Sequence, residues 1–219
     1  MTKNTGNTAK ILHIRHLTPS TYILRFDRNN KPFTAGQHVI LGIEGQKSAR
    51  EYSIYSGETD DYFEVLIKAV KPGDVSQQLK TLTTGDLVTV EGPMGFFTLE
   101  NIKVGTAKLV LIATGTGIAP FHSFVKSHPN LHYQILHGVR LAEESYELQD
   151  YDPNKFVLCT SGENKGNFNG RVTDYLRQNN VDVHAEYFLC GNVKMIHEAF
   201  DILKEKGINP TQMHAEVYF

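Results

Sequence analysis

Cysteine is scarce: Cys159 and Cys190 are the only two in 219 residues, and they form no C-x-x-C pair. Two thiols cannot supply the four ligands of an iron–sulfur cluster. With no secretory signature, a disulfide framework is not expected either. A charge excess is also missing. The net charge of −2 argues against nucleic-acid binding as the main task, which shows as a strong basic excess. Long apolar runs are absent. The longest aliphatic stretch, LVLIA at 109–113, is far too short to span a membrane. The opening MTKNTGNTAK carries no apolar run of the secretory kind. The expectation is a cytoplasmic protein with no membrane span. The 10 histidines are scattered, with no H-E-x-x-H or paired Cys/His spacing, so no metal is assigned. There is no internal repeat and no low-complexity segment.

What is present reads in two grammars. Six short runs rich in β-branched and aromatic residues fill the first hundred positions: ILHIRH (11–16), TYILRFD (21–27), HVILGI (38–43), REYSIYS (50–56), YFEVLIKAV (62–70) and LVTVEG (87–92). Turn formers separate them, and VSQQLKTL (75–82) is the one helical piece. This spacing predicts a six-stranded antiparallel β-barrel of Greek-key type. Beyond about residue 103, apolar runs alternate with helical stretches. The runs are 108–114, 131–138, 155–160, 186–191 and 212–219. The helical stretches include IAPFHSFVKSH, AEESYELQ, RVTDYLRQN and KMIHEAFDILKEKG. That alternation predicts an α/β domain with a five-stranded parallel sheet. The expected domains are 1–103 and 104–219.

Three stretches could meet a phosphate or a flat ring. In LVLIATGTGIAPF, Gly115 and Gly117 allow a sharp turn and close ligand approach, and Pro120 suits the first turn of a helix whose N–H groups attract a pyrophosphate. Pro120 stands where a generic dinucleotide fingerprint has its third glycine, so a plain strand-to-helix turn remains open. In REYSIYS, Arg50 and Tyr52 share a face: a guanidinium can hold phosphate and a phenol ring can stack. An ordinary amphipathic strand would look the same. In KPGDVSQQL, Gly73 precedes a helix start with Ser76 in its first turn, which is an anion site or simply an N-cap.

Taken in order, REYSIYS, GDVS, EGPMGFFTL, ATGTGIAP, HGVR, GRVTDYL, FLCGNVKMI and the terminal EVY resemble the ferredoxin–NADP reductase family over almost the whole chain. The resemblance implies a flavin-binding barrel followed by an NADP-binding α/β domain. Arg50 would then hold the FAD pyrophosphate, Tyr52 would pack on the isoalloxazine, and Ser53 would bond near its N5. Gly73, Val75 and Ser76 would supply a second pyrophosphate contact. Thr114, Gly115, Thr116, Gly117 and Pro120 would take the pyrophosphate of NADP. Cys190 and Gly191 would lie beside the nicotinamide, with Met195 next in the same loop. Glu216 would belong to the active site and the Tyr218 ring would cover the flavin. Ser53, Cys190, Glu216 and Tyr218 form the implied catalytic set. The family's plant-type ending stops at Tyr; here Phe219 follows, which resembles bacterial members whose extra aromatic packs on the adenine of FAD.

Arg140, just past a strand end, and Arg171, opening GRVTDYL, stand as in NADP-using relatives. Many relatives carry Ser-Arg after the third strand. Here Ser161 is kept and Gly162 replaces the Arg, with Lys165 near enough in sequence to compensate. A flavin can take a hydride and release its electrons singly, and this chain has no cluster ligands. The expected partner is a separate acidic carrier, ferredoxin or flavodoxin. Lys10, Arg15, Arg25, Arg28 and Lys31, against the single acid Asp27, would be its docking patch or a solvated strand surface. The alternatives are the reductase component of an oxygenase, a free flavin or quinone reductase, and a non-catalytic flavin-binding module. A monomer is the default.

Overall fold

A computed structural model describes residues 8–70 and 74–218. Two compact units result. The first contains the described residues up to Thr98 and His122–Ser127; the second contains Leu99–Phe121 and the described residues from His128 onward.

In the first unit the strands are β1 (Thr8–His16), β2 (Thr21–Asp27), β3 (His38–Ile43), β4 (Ala49–Ser53), β5 (Tyr62–Lys68) and β6 (Leu87–Met94). They form one sheet in the order β4-β3-β6-β1-β2-β5, with every pairing antiparallel. A bridge from Ile54, just past β4, to Val65 of β5 links the two edge strands, so the sheet curls into a barrel. Period-two alternation aims Tyr22, Leu24 and Phe26 of β2, Phe63, Val65 and Ile67 of β5, and Val39 and Leu41 of β3 into one core. Each such side chain contributes roughly 1.5–3 kcal/mol on burial. Helix α1 (Asp74–Thr81) adds Val75 and Leu79, one turn apart, to the same core.

The second unit contains β7 (Lys108–Thr114), β8 (His132–Val139), β9 (Phe156–Thr160), β10 (Phe168–Asn169), β11 (Glu186–Asn192) and β12 (Met213–Tyr218). Helix α3 (Val172–Gln178) and α4 (Val193–Glu205) pack on this sheet, and α2 (Ala119–Ser127) follows β7. The sheet is parallel, in the order β10-β9-β8-β7-β11-β12. It has six strands, not the expected five. The extra strand, β10, is two residues long and pairs Phe168 with Cys159 and Asn169 with Thr160. Two residues carry no readable periodicity. The expected helix in AEESYELQ is absent as well: Ala142–Glu144 and Leu148–Asp150 are short 3-10 turns, broken by Glu147 in the left-handed region at φ 50°. The Glu144 carboxylate accepts the backbone N–H groups of Arg140 and Leu141, which holds the chain in a turn there. Among the described residues no helix is long and apolar enough to cross a membrane.

The chain runs β7, β8, β9 outward on one side, then returns to place β11 on the other side of β7. The gap between the carboxyl ends of β7 and β11 is therefore the switch point of the sheet. Open α/β sheets bind ligands at that place.

Candidate functional site

In the first unit, antiparallel pairing sets β4 against β3, with Arg50 opposite Leu41, Tyr52 opposite Val39 and Ser53 opposite His38. Arg50 is exposed, and its Nη1 donates to the Ala49 carbonyl at 2.9 Å. Tyr52 is half-buried, with its ring against the barrel core. Burial pushes its phenol up to about 12, and the nearby Arg50 charge opposes the rise. Ser53 is buried.

The start of α1 joins this group through Tyr22. Its hydroxyl donates to the Ser76 carbonyl at 2.7 Å, and its own pKa is raised by burial and by Tyr52. Ser76 Oγ accepts the Val70 N–H at 3.4 Å. Arg50, Tyr52, Tyr22 and Ser76 thus form one neighbourhood, with an exposed cation, a half-open ring and a helix start. That set fits a ligand with both a phosphate and a flat heterocycle. The Val75 side chain faces the core, so only its backbone could meet such a ligand. Gly73 lies outside the described residues.

The basic stretch near the start is largely engaged within the unit. Arg25 donates to Glu64 Oε1 from Nε at 3.0 Å and from Nη2 at 2.8 Å, and lies 3.7 Å over the Tyr62 ring. Arg28 Nη1 donates to the Glu58 and Asp60 carbonyls at 2.7 and 2.6 Å. Lys31 Nζ reaches the Gly92 carbonyl at 3.4 Å. Three of the five expected docking cations therefore have structural duties.

In the second unit the carboxyl ends of β7 and β11 touch. Thr114 Oγ1 accepts the Asn192 N–H at 3.0 Å. Gly191 stands at φ +125°, and a Cβ there would lie 2.8 Å from the Thr114 carbonyl oxygen. A Cβ on Gly117 would lie 2.7 Å from the Gly191 Cα. Both positions require glycine because backbone meets backbone. Gly115 is left-handed at φ +53°, and the 3-10 turn Gly115–Ile118 runs directly into α2, with Pro120 as its second residue. The result is a tight turn of N–H groups at a helix start, which fits an anion.

Behind that turn, parallel pairing of β11 with β12 sets Cys190 beside Glu216 and Asn192 beside Tyr218. The Cys190 thiol is fully buried, and burial, with Glu216 adding to it, raises its pKa well above the usual value. The Tyr218 side chain and the Gly191 N–H, both hydrogen-bonded to the sulfur, work against that rise. Burial therefore favours the neutral thiol over the thiolate. Glu216 and Tyr218 are half-buried. Met195 is not in the loop: it is the third residue of α4 and is buried in the core of this unit. Phe219 lies outside the described residues.

Farther along the same sheet end, Ser161 Oγ donates to the Val139 carbonyl at 3.3 Å, and the Gly162 N–H donates to the Arg140 carbonyl at 2.9 Å. A Cβ on Gly162 would lie 2.7 Å from Arg140 Cγ. The glycine thus makes room for the Arg140 stem. Lys165 pairs with Glu163 at 3.0 Å. Arg171 precedes α3 and is exposed, as Arg140 is. A Cβ on Gly138, two residues before Arg140, would lie 3.0 Å from Val172 Cγ1, beside Arg171. Both arginines therefore belong to one end of the sheet.

One residue of this site was missed by sequence reasoning. His137 sits inside the quoted HGVR stretch with no role attached. It is fully buried on β8, and its Nε2 lies 2.9 Å from the Gly115 carbonyl. Burial lowers its pKa to about 4, against weaker upward pulls from that hydrogen bond and from Glu144. The unfolded chain takes up this proton near pH 6.5, whereas the folded chain resists it until about pH 4. The unfolded state binds more protons in that window, so stability falls as pH drops from about 6.5 to about 4. The loss from this group reaches about 3 kcal/mol. Urea unfolding at pH 7 and pH 4.5 should show His137→Gln losing less stability than the parent over that interval. Parallel losses would refute the assignment.

Comparison with known proteins agrees with this division of labour. Residues 8–99 match the family model of the oxidoreductase FAD-binding domain, and residues 111–200 that of the oxidoreductase NAD-binding domain. NADH-cytochrome b5 reductase 1 of Eremothecium gossypii is 33% identical over 87% of this chain and 76% of its own length. The toluate 1,2-dioxygenase electron transfer component of Pseudomonas putida is 29% identical over 99% of this chain and 69% of its own. A ferredoxin NADP+ reductase from Neisseria gonorrhoeae, solved with bound FAD and NADP, superposes with a TM-score of 0.87 at 25% identity, covering 97% of this chain and 98% of that one. The chain belongs to the ferredoxin–NADP reductase family of FAD- and NAD-binding oxidoreductases.

Proposed function

We propose that this oxidoreductase moves electrons between NADPH and a one-electron carrier protein of the ferredoxin or flavodoxin type, using FAD held by the first unit. The observation that carries the reading is the glycine-locked junction at the switch point, with Thr114, Gly117 and Gly191 in contact and Cys190, Glu216 and Tyr218 directly behind them. A bound flavin supplies the step from hydride to single electrons.

The chain's own residues bind and orient. Arg50 and the start of α1 hold the FAD pyrophosphate, Tyr52 packs against its ring system, and the Ser53 hydroxyl bonds the ring's reactive edge. The turn from Thr114 to Pro120 holds the pyrophosphate of the nicotinamide cofactor on its N–H groups. The bare backbone of Gly191 lets the nicotinamide approach, with Cys190 beneath it as a neutral, well-packed wall. Glu216 is the ionisable group at that end, and Tyr218 excludes water there. Arg140, Ser161 and Arg171 recognise the 2′-phosphate.

On this reading Arg140→Ala should raise the KM for NADPH about tenfold, through loss of a charge-assisted hydrogen bond. The KM for NADH should scarcely move. Steady-state kinetics with both cofactors tests it, and equal turnover of the intact protein with NADH and NADPH would overturn the preference. One observation favours a second reading. Lys165 is engaged by Glu163, and Gly162 leaves Arg140 without a neighbouring guanidinium at that position. An NADH-dependent reductase component of an oxygenase would look the same there, as would a reductase of free flavin or quinones.

A further inference from the structure

We infer that His137 is a positioning residue for the nicotinamide cofactor, setting the direction of the N–H groups in the glycine turn; this rests on the proposed function above. His137 is fully buried on β8, and its Nδ1 has no hydrogen-bond partner among the described residues. An unpartnered buried acceptor costs stability, and an apolar side chain of similar volume would avoid that cost. The surroundings would suit one, since the Phe156 ring packs edge-on at 6.0 Å and the Tyr146 ring lies 6.4 Å away.

The other nitrogen explains what is gained. Nε2 lies 2.9 Å from the Gly115 carbonyl oxygen, an acceptor, so Nε2 carries the proton and donates it. Nδ1 is then the bare nitrogen. A trans peptide is planar, with its C=O and N–H on opposite sides. Fixing the Gly115 carbonyl towards His137 therefore turns the Thr116 N–H the other way, out of the sheet end.

Gly115 is the residue most in need of such a hold. At φ +53°, without a Cβ, it has the least intrinsic preference for one peptide orientation. A Cβ built there would meet nothing within 4 Å, so no packing contact fixes it from the other side. The imidazole acts from the sheet interior, where no ligand reaches it, and touches no reacting atom.

The test compares His137→Gln with His137→Asn in the FAD-bound protein. The glutamine amide can reach the Gly115 carbonyl from the Nε2 position, whereas the shorter asparagine cannot. Asparagine also leaves the larger void, so His137→Leu, which fills the space without a donor, serves as the control and should bind as weakly as His137→Asn. Calorimetric titration with NADP+ and with ADP-ribose, which has the pyrophosphate but no nicotinamide, reads binding without turnover. For His137→Asn we expect both ligands to bind about tenfold more weakly, the KM for NADPH to rise in step, and kcat to stay within about twofold. His137→Gln should recover most of the affinity, with the flavin content of both variants unchanged. Equal affinities in parent and His137→Asn would overturn the inference and leave the proposed function standing, as would His137→Gln and His137→Asn equally impaired. A parent protein that binds neither ligand would overturn both.

Discussion

Replacing Gly117 with alanine should lower kcat/KM for the nicotinamide cofactor by about 100-fold while leaving the flavin content unchanged. The added Cβ would stand 2.7 Å from the Gly191 Cα and closer still to the Cys190 carbonyl. Neither is the end of a side chain that can swing aside. The carboxyl ends of β7 and β11 must separate, and the cofactor site is built on their contact. Displacement of a bound group by about 1 Å costs on the order of 100-fold in rate. The stability cost should be modest, about 1–3 kcal/mol, as for other overpacked sites. Gly115→Ala supplies the contrast. Its Cβ enters open space, so the cost is the left-handed backbone, about 1–2 kcal/mol, and the fall in kcat/KM should be clearly smaller. Steady-state kinetics with an artificial electron acceptor, alongside flavin absorbance, checks both. If the two variants behave alike, the contact between Gly117 and β11 is not what holds the site.

Tyr218→Ser should tighten NADP+ binding and slow turnover, each by about tenfold, with little change in melting temperature. The family resemblance implies that this ring covers the flavin, where the nicotinamide must stack, so removing it removes a competitor. Tighter product binding then slows release, a step that limits turnover in many enzymes. Strand β12 keeps its pairing with β11 through the backbone, so the sheet edge survives the change. The half-buried ring contributes less packing than a core residue. A large fall in melting temperature with unchanged NADP+ affinity would make Tyr218 a packing residue instead.

Both predictions rest on residues that were readable in sequence, because their chemistry depends on local constraint. A glycine pair after a buried strand, or an aromatic at a strand end, shows in a short window. Strands β2, β3 and β7 were legible for the same reason, since period-two or continuous burial is written into consecutive residues. What could not be read depends on distant pairing. Strand β10 exists because Phe168 and Asn169 meet β9, and two residues carry no pattern. Residues 142–149 have helical composition, yet the Glu144 carboxylate and the left-handed Glu147 turn them. Gly162 looked like a lost cation, and only its contact with Arg140 shows it as the space the arginine stem needs. Met195 followed a motif into the site but belongs to the core face of α4. His137 carried no signal beyond its place in HGVR, because its meaning lies 22 residues away, at the Gly115 carbonyl.

The most direct test of the account is the visible spectrum of the purified protein before and after anaerobic addition of NADPH. Bound FAD is expected, seen as yellow oxidised-flavin absorption, which bleaches on NADPH addition and returns when ferredoxin or flavodoxin is added as acceptor. A colourless protein that takes up no added FAD, or a flavin that neither NADPH nor NADH bleaches, would contradict it.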